Sequence, residues 1–293
     1  MRSQPHYLSA LFAIASAILM ATIGVFSRHL GLDAITITCF RLLGGAFFML
    51  IFLMLQGKTS LIAVKPETPV IVNGFFLSGF IVFYIQAMNY TTMANAIMLV
   101  YFAPLFSAVI AHFFMGERLR LFSVLLICLA IIGFAMMLEF KLDLYGDKER
   151  TVGMALALVA MLCYSGFILI NRKITDHVFT STFYQLLVGG VVITPVVFIN
   201  YTSFSAWQMK LLIGAAFFPG FLAILLAVLA LRNLNTASFG TLAYFEPLAV
   251  VLFGWLLFAE KLSLLQICGC GVILTCGIIK VMADTKYEKA HSA

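Results

Sequence analysis

A chain of 293 residues that is 63% hydrophobic, only 10% charged and has a mean hydropathy of +1.09 is not a soluble globular domain, because about a quarter of the residues of such a domain carry charge. The net charge of +6 does not make it a nucleic-acid binder, since the basic residues are scattered through short connectors instead of forming a patch. All six cysteines (Cys39, Cys128, Cys163, Cys268, Cys270, Cys276) fall inside apolar stretches, without metal-ligand spacing to histidine and away from loops that a disulfide would staple. No metal or other cofactor is expected.

Ten apolar segments of roughly 20 residues follow one another, each long enough to cross about 30 Å of hydrocarbon. In chain order they predict helices α1 to α10 at 7–27, 34–55, 69–89, 93–115, 120–138, 151–171, 179–201, 208–231, 236–258 and 263–282. The first is too long for the core of a signal peptide and reads as a true span. Six glycines, Gly44, Gly45, Gly189, Gly190, Gly269 and Gly271, offer close helix contacts. None belongs to a phosphate-binding loop. With the N-terminus inside, eleven basic residues fall on the cytoplasmic side: Arg2, Lys58, Lys65, Arg118, Arg120, Arg172, Lys173, Arg232, Lys280, Lys286 and Lys289. Six fall outside (Arg28, Lys141, Lys148, Arg150, Lys210, Lys261), and Arg41 completes the 18 within α2. That imbalance predicts both termini in the cytoplasm, with the chain in the cytoplasmic membrane.

The sequence repeats. A shift of 143 places Tyr101-Phe102 on Tyr244-Phe245, Pro104-Leu105 on Pro247-Leu248, and Glu117-Arg118-Leu119 on Glu260-Lys261-Leu262. A shift of 144 pairs Ser27-Arg28 with Asn171-Arg172, and Phe40-Arg41-Leu42-Leu43 with Tyr184-Gln185-Leu186-Leu187. The expected division is a first five-helix repeat over 1–138, an outer linker over 139–150, and a second repeat with a short cytoplasmic tail over 151–293. Five is odd, so the second copy enters the membrane inverted. Inverted repeats are typical of secondary transporters, whose substrate site lies near the midplane between the copies.

The chain resembles EamA-type members of the drug/metabolite transporter superfamily. The resemblance rests on the 5+5 arrangement, Arg41 in α2, the paired endings from Pro104 to Leu119 and from Pro247 to Leu262, and the Glu246-Pro247 step of α9. It implies ten helices packed around a central cavity with α5 and α10 peripheral, both termini cytoplasmic, and transport of small organic metabolites, often outward.

Glu246 is the one charge in the run from Leu234 to Phe258, about ten residues and so roughly 15 Å into its helix. An acid at that depth is costly and marks a functional site by default. Its functional reading is a coupling site for a proton or cation, against a structural one as a buried pair or inter-helix hydrogen bond. Pro247 beside it, like Pro104 in α4, removes a backbone donor and bends the helix; both are expected hinges. Arg41, about 10 Å deep, can bind a substrate carboxylate, neutralise Glu246 or snorkel. A direct Arg41–Glu246 pair would fix the carboxylate's charge and count against proton coupling. Stripes of Asn95, Leu99 and Ala103 on α4, and of Ser238, Leu242 and Glu246 on α9, are expected to face the cavity. Asn95 and Ser238 are candidates for substrate or for helix capping. Tyr84, Tyr101, Phe102, Tyr164, Gln185 and Tyr244 complete the candidate pocket lining, which suits amphipathic or aromatic small molecules. His112 reads as interfacial, and Glu117 and Glu260 as caps of tight turns.

The expected function is export of an amino acid or related amphipathic compound by alternating access, possible proton coupling included. The alternatives are an uncoupled facilitator of the same fold, a multidrug exporter, or a subunit without flux. One deep acid and one deep base make no paired-acid or Ser/His constellation, so an enzyme is not expected. Expected partners are the small-molecule substrate and membrane lipid, with no nucleic acid, in a monomer or homodimer.

Overall fold

A computed structural model describes residues 6–117, 119–141, 148–199 and 204–292. Arg2, Arg118, the middle of the outer linker and the last two residues expected of α7 lie outside them. The described residues are helical without a strand. The ten expected helices appear as α1 (His6–Leu30), α2 (Ala34–Leu55), α3 (Thr68–Tyr90), α4 (Met93–Val100 and Ala103–Met115), α5 (Leu121–Met137), α6 (Lys148–Lys173), α7 (Val178–Ile199), α8 (Ala206–Asn233), α9 (Thr236–Ala243 and Phe245–Phe258) and α10 (Leu264–Ser292). Nine are long and apolar enough to cross a membrane, and α5, with 17 residues, is at the short limit. A single short turn, Ser60–Ala63, interrupts the α2–α3 connector.

Local chemistry sets the ends. Asp33 caps α2 by accepting from the Thr36 amide, and Thr92 and Asn235 do the same for α4 and α9 through the amides of Asn95 and Ser238. Ser205 and Gln208 form a reciprocal capping box on α8. Gly116 ends α4 at φ 69°, and Ala259 takes the equivalent left-handed place after α9 at φ 52°. The following amides close matching loops, Glu117 to the Ala111 carbonyl and Glu260 to the Gly254 carbonyl, each 3.2 Å.

Packing follows the repeat. α3 lies along α6 and α1 along α8, pairs that exchange when the repeats are exchanged. The same holds for α2 on α8 and α7 on α3, while α2–α7 and α5–α10 map onto themselves. A large core joins α1, α2, α3 and α6 to α9, and a second joins α4, α5, α9 and α10. Because each repeat has an odd number of antiparallel spans, the second is inverted relative to the first.

Small residues set how closely α2 and α8 approach. A β-carbon on Gly45 would lie 2.9 Å from the Gly220 carbonyl carbon, and one on Gly44 would lie 2.5 Å from the Ala216 β-carbon. Gly220 itself packs against the Arg41 carbonyl. At this contact α8 widens into a π-helix, Ala216–Leu222, around Pro219, whose missing amide breaks the regular ladder. Gly189, Gly190 and Gly269 also sit against neighbouring helices, whereas Gly271 faces open space and makes no such contact.

Gly45→Val is expected to push α2 off α8 and destabilise the protein by about 1–3 kcal/mol, read as a lowered melting temperature in detergent. Ala259→Gly is expected to act in the opposite direction, by roughly 1 kcal/mol, because it relieves a left-handed alanine.

Candidate functional site

α4 and α9 are interrupted at matching places, at Tyr101-Phe102 and at Tyr244. Pro104 cannot donate to Val100, nor Pro247 to Ala243, so each helix exposes backbone carbonyls at depth. In hydrocarbon such groups need protein or water partners. The hydroxyl of Tyr244 donates to the carbonyl of Tyr101, its counterpart in the other repeat, at 2.5 Å. Ser165 of α6 donates to the Ala103 carbonyl at 3.2 Å, and Ser107 to that of Pro104 at 3.0 Å. The two breaks are therefore joined to each other and to α6.

Glu246 lies in the first turn of the second α9 segment, where the free amides and the helix dipole favour a carboxylate. The Tyr101 hydroxyl is its hydrogen-bond donor. The guanidinium of Arg41 and the rings of Tyr84 and Tyr164 stand within electrostatic reach of the carboxylate. Tyr164 stacks on Phe80 at 4.8 Å and Phe80 on Tyr84 at 6.2 Å, nearly parallel, so α3 and α6 present one aromatic wall. Tyr101 leans on Phe134 and Tyr244. Arg41 is 9% exposed, and its Nε has no hydrogen-bond partner among the described residues. Among them it makes no direct ion pair with Glu246, although the two charges act on each other.

Arg41, Tyr84, Tyr101, Tyr164 and Glu246 thus converge from five helices. The other sequence candidates lie elsewhere. The Asn95 side chain donates to Thr91 Oγ1 at 3.1 Å, and its amide is held by the Thr92 cap. The Ser238 hydroxyl lies 2.7 Å from Asn235 Oδ1 and 2.5 Å from Asp284 Oδ2, at the end where α9 begins. Gln185 of α7 donates to Asn171 Oδ1 of α6 at 2.9 Å. Tyr244 is wholly buried with its hydroxyl on the Tyr101 carbonyl, and Phe102 is 37% exposed. Pro104 and Pro247 stand two and three residues after the breaks, with Pro104 against Gly240 of α9.

Sequence reasoning missed Phe80 and Ser165. Phe80 lies four residues before Tyr84 on the same helical face, a spacing that was available as a signal. Ser165 adjoins Tyr164 but turns to another neighbour, which no local pattern reveals.

A polar cluster on a ten-helix, two-repeat scaffold invites comparison with known proteins. The profile of the EamA-like transporter family matches residues 7–139 and again 151–282. An uncharacterized transporter of Archaeoglobus fulgidus is 28% identical over 91% of this chain and 93% of its own length. The pseudopaline exporter CntI of Pseudomonas aeruginosa is 23% identical over 81% and 83%. A solved crystal structure shares the fold with a TM-score of 0.83 at 17% identity, covering 94% of this chain and 98% of that one. With both halves matched by the same profile, the chain belongs to the EamA-like transporter family.

Proposed function

We propose that the protein is a secondary transporter of the cytoplasmic membrane that exports a small amphipathic metabolite, an amino acid or a close relative, by alternating access. The observation that carries this reading is the separated pair of charges, Arg41 and Glu246, set against the Tyr84–Phe80–Tyr164 wall and Tyr101. A guanidinium supplies a bidentate partner for a carboxylate. A carboxylate supplies one for an ammonium group, and stacked rings hold an apolar or aromatic body. Because the two charges do not pair directly, a zwitterion can bridge them. Leaving either charge unpaired in a dry site is costly, so an occupant satisfying both is favoured. One relative is named as an exporter, which supports the outward direction, and the excess of basic residues in the connectors on the α1 N-terminal side supports cytoplasmic termini.

In the coupled version Glu246 carries a proton when the substrate is absent and releases it when the substrate's cation arrives, so one site serves both in turn. The hydrogen bond from Tyr101 favours a second version, a facilitator in which Glu246 stays charged and flow follows the substrate gradient.

Two measurements in liposomes separate these. Glu246→Gln is expected to abolish accumulation driven by an imposed pH gradient by at least tenfold, with the protein still folded; unchanged accumulation removes Glu246 from coupling. Arg41→Gln is expected to raise KM for a carboxylate-bearing substrate by roughly ten- to a hundredfold, the loss of a charged hydrogen-bonded contact of about 1.5–3 kcal/mol. An analogue lacking the carboxylate should not distinguish the two proteins.

A further inference from the structure

The turn after α4 and the last turn of α6 form a second polar assembly, about two helical turns along α6 from Tyr164. Arg172 donates from Nε and from its terminal nitrogen to Glu117 Oε1 at 2.8 and 2.7 Å. Its other terminal nitrogen donates to the Leu231 carbonyl of α8 at 3.0 Å. The second oxygen of Glu117 accepts from the Thr236 amide, the first helical residue of α9, at 2.8 Å. Glu117 and Arg172 are only 17% and 19% exposed. One carboxylate of the first repeat thus holds two helices of the second and reaches a third through Arg172.

The repeat places the same parts at the other end. Shifted by the repeat length, Glu117 becomes Glu260, Arg172 becomes Arg28, the Leu231 carbonyl becomes that of Met88 and the Thr236 amide becomes that of Met93. Arg28 and Glu260 do form an ion pair, with Arg28 also over the Phe258 ring at 4.5 Å. Yet this pair is 53% and 44% exposed, and among the described residues it engages neither Met88 nor Met93. Met93 is 64% exposed. The assembly is complete at one end and half made at the other.

We propose that these are two copies of one latch that close in alternation, and that the structure is the state in which the Glu117–Arg172 latch is shut. In the opposite state the Arg28–Glu260 pair takes up the Met93 amide and the Met88 carbonyl while Glu117 releases Thr236. The inference rests on the alternating-access reading but concerns conformation alone.

Proline tests it, because residues 236 and 93 are each the first helical residue, where proline is tolerated and removes only the amide donor. The residues before them, Asn235 and Thr92, are already extended at ψ 158° and 148°, as a following proline requires. Spin labels at Leu121 and Lys173 report one end, and labels at Tyr90 and Lys261 the other, in a cysteine-free background of parental thermal stability and with no substrate added. Thr236→Pro is expected to at least double the population with a longer Leu121–Lys173 distance and a shorter Tyr90–Lys261 distance; Met93→Pro is expected to deplete that population. Glu117→Gln should act as Thr236→Pro does, and Glu260→Gln as Met93→Pro does. Folded variants that move both ends in the same direction, or that leave both distance distributions unchanged, overturn the latch. Because no flux is measured, that outcome stays distinct from a failure of the transport reading.

Discussion

A backbone carbonyl in hydrocarbon has no water to turn to, and this constraint shapes the centre of the molecule. Proline at 104 and at 247 strips donors from α4 and α9 at the depth where such groups are most expensive. Beside the break in α4, side chains of the other copy meet carbonyls: the Tyr244 hydroxyl that of Tyr101 and the Ser165 hydroxyl of α6 that of Ala103. Breaking the helices thus fastens the two repeats together. It also starts a new helix at Phe245, and Glu246 occupies the end of it where a negative charge is best tolerated. The acid is affordable there because the break is there.

The rest of the site is arranged by the close contact of α2 with α8. Arg41 projects from a helix whose backbone is pressed against Gly220, in the π-helical turn of α8. A π-helix changes the phase of everything after it, so the face that α8 shows to α2 differs before and after Ala216–Leu222. The aromatic wall from α3 and α6 is set by the tight pairing of those two helices, with Gly166 against Phe76. Closely packed helix pairs thus carry the polar groups.

Much of this was legible in the residues. Hydropathy located all ten helices, because the described residues are almost entirely spans and short connectors. The Tyr-Phe-x-Pro-Leu phrase located both breaks, because proline acts through its own covalent structure. Glu246, Arg41 and the tyrosines stood out as polar tips in apolar runs. Sorting them was beyond the sequence: Tyr101 and Tyr244 occupy equivalent places, yet one hydroxyl meets the carboxylate and the other a carbonyl. That choice depends on the azimuth of each helix, set by neighbours distant in sequence. Gln185 and Ser238 look like pocket groups until Asn171 and Asp284 claim them. The π-helix left no sign beyond Pro219-Gly220.

Ala103 stands where an exact copy would carry a second carboxylate. The helix contacts of one half recur in the other, but the charge is lopsided: one half brings the acid, and the other brings the guanidinium at Arg41 where its twin has Gln185. Two postures of a duplicated frame can be interchangeable in shape and still differ in free energy once a single ion sits off the symmetry axis. On the proposed alternating-access reading, the molecule then has a preferred resting posture, and the size of that preference depends on what neutralises Glu246.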